Sequence, residues 1–462
     1  MAAAVEARRH NLDVMVIDEQ ATPGGQIWRS VEMTRRRDEV LGPTYSEGRN
    51  AAELFRACGA NYRPNAQIWQ LEPGFRALFT SEGQVGMVEA SKLLLATGAQ
   101  ERPAPFPGWT LPGVLTVGAA QILLKNAGEI PADPVWIAGS GPLPLLYAVQ
   151  LLRAGGQIAG YLDTTPKARW REALVHLPAA LKAPGDLLKG LGWTSMLRRR
   201  VRVIRDVCSI EAVGEHRITK LRYRSGSGPE VAVPAGLLLV HEGVVPSIHP
   251  ALSMDCTLKW SAAQDCFVPV LDAWGESSVD GLFIAGDGAG IAGARAAQCR
   301  GTLAGIRAAS KLGRLDSTSA ERVAVPSRRR LARELAIRPF LDALFRPRAE
   351  VYAPADRTVI CRCEEVTAGA IRAAASVGRP GPNQVKAATR AGMGPCQGRQ
   401  CGYTVTRILA AMQDRSPEDV GFFHIRPPLK PVTLGELATG IGCATDDRQE
   451  GEFRSNDSHV IE

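Results

Sequence analysis

Apolar runs and amphipathic stretches take turns along much of this chain. Residues 2–9 are alanine-rich and read as a helix, and Asp13 to Glu19 (DVMVIDE) reads as a buried strand ending on an acid. Leu93 to Leu95 is a second strand and runs into Ala96-Thr97-Gly98-Ala99. Val135 to Ala138 is a third, turning at Gly139-Ser140-Gly141-Pro142 into a helix from Leu145 to Arg153. A short strand, Ile158 to Leu162, follows and closes on Asp163. Residues 170–200 have a helical pattern, and 201–240 alternates as antiparallel strands do. Gly281 to Asp287 (GLFIAGD) is a further buried strand meeting a glycine-rich turn, with a helix through Ala309 after it. Strand and helix alternating on this scale predict an α/β fold with two doubly wound dinucleotide-binding domains.

A small, mainly helical C-terminal domain is expected after them. The predicted division gives 1–112 and 256–312 to one nucleotide-binding domain and 113–255 to a second. Residues 313–356, rich in arginine and proline, read as a linker, and 357–415 as a cysteine-bearing domain. Residues 416–462 form an extension whose polar, acidic end, after about residue 440, reads as a disordered tail.

A length of 462 residues exceeds what one core organises, in line with several domains. Hydrophobic residues at 45% and charged residues at 22% are ordinary for a globular protein. No stretch reaches the roughly 18 uninterrupted apolar residues of a membrane span, and MAAAVEARRHN, with Glu6 in its apolar part, is not a secretory signal. The net charge of +8 comes partly from arginine runs at Arg35–Arg37, Arg198–Arg200 and Arg328–Arg330. Solvated loops account for them, and no nucleic-acid partner is expected. Ten cysteines, six single and four within the 41 residues from Cys361 to Cys401, fit a reducing compartment with a metal site. The expected location is therefore the cytoplasm, with any membrane association made through a partner.

A dinucleotide site needs glycines at a strand–helix turn, where pyrophosphate sits on the helix N-terminus, and an acid about 20 residues on for the ribose. Gly139 and Gly141 with Asp163, 22 residues after Gly141, meet this, although Pro144 fills the third glycine position. A tight structural turn is the alternative there. Glu19 ends a strand as a ribose-binding acid would, and Gly24-Gly25-Gln26 follows. Counting back about 20 residues places its glycine turn at or before Met1, so the count predicts a chain that starts inside the motif. Gly286-Asp287 after Leu282–Ala285, followed by Gly288, Gly290 and Gly293, suits a ribityl hydroxyl at the start of a helix.

Taken in order, these motifs resemble a known group. Glu19 with GGQ, Ala96–Val114 (ATGAQERPAPFPGWTLPGV), GSGP, His241–Ser247 (HEGVVPS), GLFIAGDGAGIAGA and RPPLKPVTLGELA resemble the two-dinucleotide-domain flavoproteins. More narrowly they look like the alpha (A) subunits of opine oxidases, hydroxyproline dehydrogenases, hydrogen cyanide synthase and heterotetrameric sarcosine oxidase, to about Ala438. The resemblance implies FAD, with Glu19 on the adenosine ribose, Gly24, Gly25, Gln26, Thr97 and Gly98 beside the nucleotide, and Gly286 and Asp287 at the ribityl chain. It also implies an amine- or amino-acid-oxidising partner subunit that holds the small-molecule substrate. FMN at the subunit interface, and NAD or ATP at the middle site, are further expectations. Disulfide reductases share the fold, but no cysteine pair follows GGQ and the middle domain has no C-x-x-C, so that chemistry is excluded.

Cys361-Arg362-Cys363 and Cys396-Gln397-Gly398-Arg399-Gln400-Cys401 make C-x-C, a 32-residue gap, and C-x-x-x-x-C. Four thiolates suit two irons of a 2Fe–2S cluster, each local pair clamping one iron; structural zinc is the alternative, though it more often uses C-x-x-C. The arrangement resembles the bacterioferritin-associated ferredoxin domain. Gly392, Gly394, Gly398 and Gly402 are expected to clear space for backbone N–H groups, Thr367 and Asn383 to cap helices, and Arg362, Lys386, Arg390 and Arg399 to balance charge. Seven dispersed histidines and no acid–base pair leave no catalytic residue to name; His241 reads as structural and Cys299 as packed. The reading is an electron-transferring oxidoreductase subunit passing electrons to a quinone or other acceptor. A non-catalytic scaffold or regulatory subunit is the alternative.

Overall fold

The computed structural model describes residues 1–33 and 37–441. Arg35, Arg36, Cys443 and the expected tail lie outside the described residues. The chain opens with α1 (Ala2–Arg9), β1 (Met15–Ile17), α2 (Asp38–Leu41), α3 (Pro43–Ala57) and β2 (Asn61–Arg63). An antiparallel sheet follows, β3 (Ala66–Glu72), β4 (Arg76–Ser81) and β5 (Gln84–Glu89), then β6 (Leu93–Leu95) and β7 (Ala99–Glu101). Among the described residues β1 pairs only with β2, parallel, with Met15 opposite Asn61. The strand expected to be buried over Asp13–Glu19 is therefore short, and Met15 is 38% exposed. Bonded on one side, its residues line a cavity instead of a second layer of core.

The middle unit runs β8 (Val114–Thr116), α4 (Val117–Ala127), β9 (Val135–Ser140), α5 (Pro142–Arg153) and β10 (Ile158–Asp163). Helices α6 (Lys167–Leu174), α7 (Leu177–Ala180) and α8 (Pro184–Arg200) form the helical excursion. β11 (Val203–Ile204), an antiparallel sheet of β12 (Val207–Val213), β13 (Lys220–Ser225) and β14 (Glu230–Pro234), and β15 (Leu238–Glu242) complete it. The parallel sheet has the order β11-β10-β9-β15-β8. Every residue of β9 is buried, as a central strand covered on both faces requires.

The first unit then resumes with β16 (Val244–Pro246), α9 (His249–Ser253), β17 (Leu258–Ser261), β18 (Cys266–Pro269), β19 (Leu282–Ile284) and α10 (Ala294–Lys311). β19 pairs parallel with β6, and β16 antiparallel with β7. α10 packs on α1. A Cβ at Gly305 would stand 2.7 Å from the Ala3 carbonyl oxygen, so glycine there sets the distance between the two helices.

Residues read as a linker are helical. α11 (Ser317–Leu335) is capped by Asp316, whose carboxylate accepts from Ser319 N, and α12 (Arg338–Leu344) follows. Ala320 and Ala324 are buried with Leu303, Ile306 and Trp274. This narrow apolar face lies among arginines, one of which, Arg328, stacks on Trp274 at 4.3 Å, so composition alone concealed the helix. The C-terminal domain comprises β20 (Val359–Cys361), β21 (Val366–Thr367), α13 (Ala368–Ala375), α14 (Pro382–Thr389), α15 (Gly402–Gln413), α16 (Pro417–Val420) and α17 (Leu434–Ile441). Tyr403, Phe422 and Phe423 share one core with Val245, Ile248 and Phe267 of the first unit, which docks this domain firmly. The extension runs back to β5, where Val85 N donates to Thr439 Oγ1 at 3.1 Å. Among the described residues no helix is long and apolar enough to cross a membrane.

Candidate functional site

A continuous cavity of about 3760 Å³ runs between the units and gathers most of the motif residues. Glu19, Gly24, Gly25, Gln26, Thr97, Gly98, Gly286 and Asp287 line it from the first unit, and Gly141 from the middle one. Gly139 and Asp163 do not reach it. Gly139 lies behind the turn, where a Cβ would come within 2.1 Å of the His241 carbonyl oxygen. Asp163 folds back, its Oδ1 accepting from Thr165 N at 3.0 Å, and burial pushes its carboxyl up.

In the first unit the walls are backbone. Added Cβ atoms at Gly25, Gly98 and Gly293 would meet nothing within 4 Å, whereas one at Gly24 would press on the Trp28 carbonyl. Asp287 Oδ1 accepts from Ala292 N and Gly293 N, both at 2.9 Å, and so fixes the loop that enters α10. Glu19 is paired with Lys430, which arrives from the C-terminal extension. Lys125, not singled out from the sequence, is buried on α4 and donates to the Gln26 carbonyl at 2.8 Å. Burial pushes its ammonium down to about 7, with Arg29 adding to the effect. A lone charge in the apolar run VGAAQILLKNA was the available signal.

At the middle turn, Gly141 caps α5 with Pro142 in its first turn. His241, read as structural, stands beside it: its Nδ1 is 2.7 Å from Glu101 Oε1, and Glu101 Oε2 accepts from Gly118 N at 2.9 Å. Three separate motifs thus meet at one turn.

The four thiols are free and come together. Cys361 meets Cys401, and Cys363 meets Cys396. The pairing follows burial. Cys361 in β20 and Cys401 at the start of α15 both face the core; Cys363, beyond the strand end, is exposed and Cys396 half-buried. The Cys401 thiol and the N–H groups of Gly392, Glu364 and Cys363 pull Cys361 down to about 6. A thiolate there in turn pushes Cys401 up. Among the described residues, no three His, Cys, Asp or Glu side chains close around a point as a single ion requires.

The glycines of this loop serve packing as well as N–H access, which Gly392 gives to Cys361. A Cβ at Gly392 or Gly398 would strike the Phe423 ring, at Gly402 the Phe422 ring, and at Gly394 the Cys363 Cβ. Thr367 caps α13 as expected. Asn383 does not cap α14, which Gly381 does; its Oδ1 accepts from His424 N instead. Of the expected cations, Arg390 pairs with Glu364 and Arg362 is exposed. Lys386 sits 5.7 Å over Phe423, and Arg399 donates to the Cys396 and Leu429 carbonyls.

The thiol loop touches the cavity wall directly. Gln100 Nε2 donates to the Arg399 carbonyl at 2.8 Å, and His249 Nε2 donates to that of Gln397 at 3.1 Å. Burial, then Arg399, pushes the His249 imidazole down to about 3, so it is neutral. Cys299 is the one cysteine lining the cavity among the described residues, and burial raises its thiol. It has no thiol partner for disulfide exchange.

Residues 1–313 match the model of the pyridine nucleotide-disulphide oxidoreductase family, and 355–441 match the sarcosine oxidase A3 domain. The chain is 45% identical to the A subunit of opine oxidase from Agrobacterium tumefaciens (strain Ach5), covering 95% of this chain and 89% of that one. It is 34% identical to the HcnB subunit of hydrogen cyanide synthase from Pseudomonas aeruginosa, over 94% of each. Among solved structures, L-proline dehydrogenase from P. horikoshii superposes with a TM-score of 0.69 at 18% identity, covering 94% of this chain and 76% of that one, a likeness of fold.

Proposed function

The chain belongs to the pyridine nucleotide-disulphide oxidoreductase family, as a relative of the opine oxidase A subunit, and on that premise we propose that it is the electron-transferring subunit of a heteromeric flavin dehydrogenase or oxidase. Its membership makes it an oxidoreductase subunit. The proposed substrate is an amine, amino acid or opine, oxidised on a flavoprotein partner, with a quinone or another acceptor receiving the electrons. The observation that carries this reading is the pair of hydrogen bonds, from Gln100 and His249, that join the nucleotide cavity to the four-thiol loop.

The residues present fit the proposed groups. The open faces of Gly25, Gly98 and Gly293 leave room for a nucleotide against bare backbone. Asp287 would hold ribityl hydroxyls with the oxygen not taken by Ala292 and Gly293, and Glu19 the adenosine ribose. Gly141, which faces the cavity at the start of α5, would carry NAD or ATP in the middle unit without help from Gly139 or Asp163, which do not reach it, and FMN would sit where the subunits meet. Cys361, Cys363, Cys396 and Cys401 would hold a 2Fe–2S cluster. When bound, flavin supplies two-electron chemistry and the cluster single-electron steps. The chain's own part is to keep the two close and fixed: Arg399 clamps the Cys396 carbonyl, and neutral His249 braces the loop from the cavity side.

Absorption and low-temperature electron paramagnetic resonance spectra, with iron, sulfide, zinc and flavin assays on the purified chain, test this. Two irons and two sulfides per chain, paramagnetic only after reduction, with bound flavin, are expected. Cys401→Ser should abolish the visible cluster band. Stoichiometric zinc without visible absorption would overturn the relay.

A further inference from the structure

Helices α6, α7 and α8 leave the middle unit between β10 and β11 and bury only one side. Ala173 and Ala180 pack there on Ile337, Phe340 and Leu344. The other side carries Trp170, Leu174, Val175, Leu181, Leu188 and Leu191, all exposed, with Leu188 and Leu191 at 67%. Added Cβ atoms at Gly185, Gly190 and Gly192 of α8 would meet nothing within 4 Å, so none of the described residues covers that face of the helix. Single exposed leucines are unremarkable, but six large apolar side chains within 22 residues are not. From Pro166 to Arg200 the same segment holds eight Lys and Arg against two Asp and Glu.

We propose that α6–α8 is the docking face for the second subunit of the heteromer, and that this partner brings a protruding apolar element rimmed by Asp and Glu. The proposal rests on the chain being one subunit of a heteromer and needs none of the cofactor assignments. Charge decides against a symmetric second copy, which would set eight cations against eight. Shape decides against a membrane surface. A helix lying in a lipid interface presents a convex apolar face, whereas Trp170, Leu174, Leu181, Leu188 and Leu191 all line the mouth of the central cavity, a concave wall. A protruding protein element fits a concavity, and seated there it would close the cavity mouth to water.

Hydrogen–deuterium exchange on the full chain, produced alone and within the intact heteromer purified from its native cells, tests the proposal. Peptides spanning 167–194 should exchange at least tenfold more slowly in the heteromer. Leu188→Glu with Leu191→Glu should leave the melting temperature of the lone chain unchanged and weaken assembly at least tenfold. Should that variant misfold, Lys182→Glu with Lys189→Glu carries the test, with weaker and less salt-sensitive assembly expected. Equal exchange in both states, or normal assembly of the variants, overturns the docking face while leaving the chain's place in a heteromer intact. Protection by phosphatidylglycerol vesicles or by raised chain concentration, but not by the partner, overturns it in favour of a membrane or a second copy. Absence of any heteromer would remove the reading on which the docking face rests.

Discussion

The two nucleotide-binding units are built from the same elements and held together in different ways. In the middle unit a central strand, a glycine turn, a helix and an acid follow one another within residues 135–163, and the acid is held by its own neighbour, Thr165. The first unit is assembled from three distant pieces: β1 to β7 ahead of the middle unit, β16 to α10 after it, and the C-terminal extension. Its acid, Glu19, meets Lys430, 411 residues away, and its opening helix rests on α10. Local assembly yields a rigid turn. Assembly from distant pieces makes the first site depend on the docking of the C-terminal domain.

The same substitution, glycine to alanine, should expose this difference most strongly. Gly139→Ala drives a methyl from the central strand to 2.1 Å from the His241 carbonyl oxygen of its neighbour β15, where neither side can give. A loss of about 4 kcal/mol or more is expected in urea unfolding. Gly305→Ala meets the Ala3 carbonyl at 2.7 Å, a longer approach between two packed helices rather than two bonded strands, and about 1–3 kcal/mol is expected. Equal losses would end the contrast between the units.

What could be read in the sequence divides along the same line. The middle unit was legible because its logic is local: GSGP, an apolar strand on either side, and Asp163 lie within one window. The four cysteines were equally plain as a group. Which of them lie in the core was not, because Cys361 on β20 and Cys401 at the start of α15 are brought together only by the fold. α11 was hidden because its buried face is two alanines among arginines. The glycines of the thiol loop have a second reason that the sequence hid, the rings of Phe422 and Phe423, which lie beyond α15. Neither Lys430 against Glu19 nor Lys125 against Gln26 has any local signature as a pair.

The seam between the units has its own pH signature. Lys125, on the middle unit's α4, is held at about 7 when folded, against about 10.5 for an unburied lysine. Between these values the unfolded chain binds a proton that the folded chain does not, so stability rises with pH from about 7 towards 10.5. Below 7 both forms are charged and the penalty is constant. Lys125→Met should flatten this rise and stabilise the chain at pH 7 by about 2 kcal/mol, less than the full desolvation cost because the Gln26 carbonyl loses its donor. Urea midpoints at pH 7 and 9.5 measure it. A wild-type chain no more stable at pH 9.5 would mean that the seam admits water around Lys125.

The smallest effect concerns the acid of the first unit. Glu19 and Lys430 keep side-chain exposures of 45% and 34%, so solvent screens their pairing, and Lys430→Ala should cost less than about 1 kcal/mol of stability. Its larger consequence should be local. With the extension no longer tied to Glu19, flavin affinity should change and become less sensitive to salt, while nucleotide binding at the middle unit stays as it was, because Asp163 has no such distant partner. Fluorescence titration with FAD at 50 and 500 mM salt separates the two units. If both sites respond alike, the extension acts on the whole molecule, and the dependence of the first unit on its distant pieces is not peculiar to it.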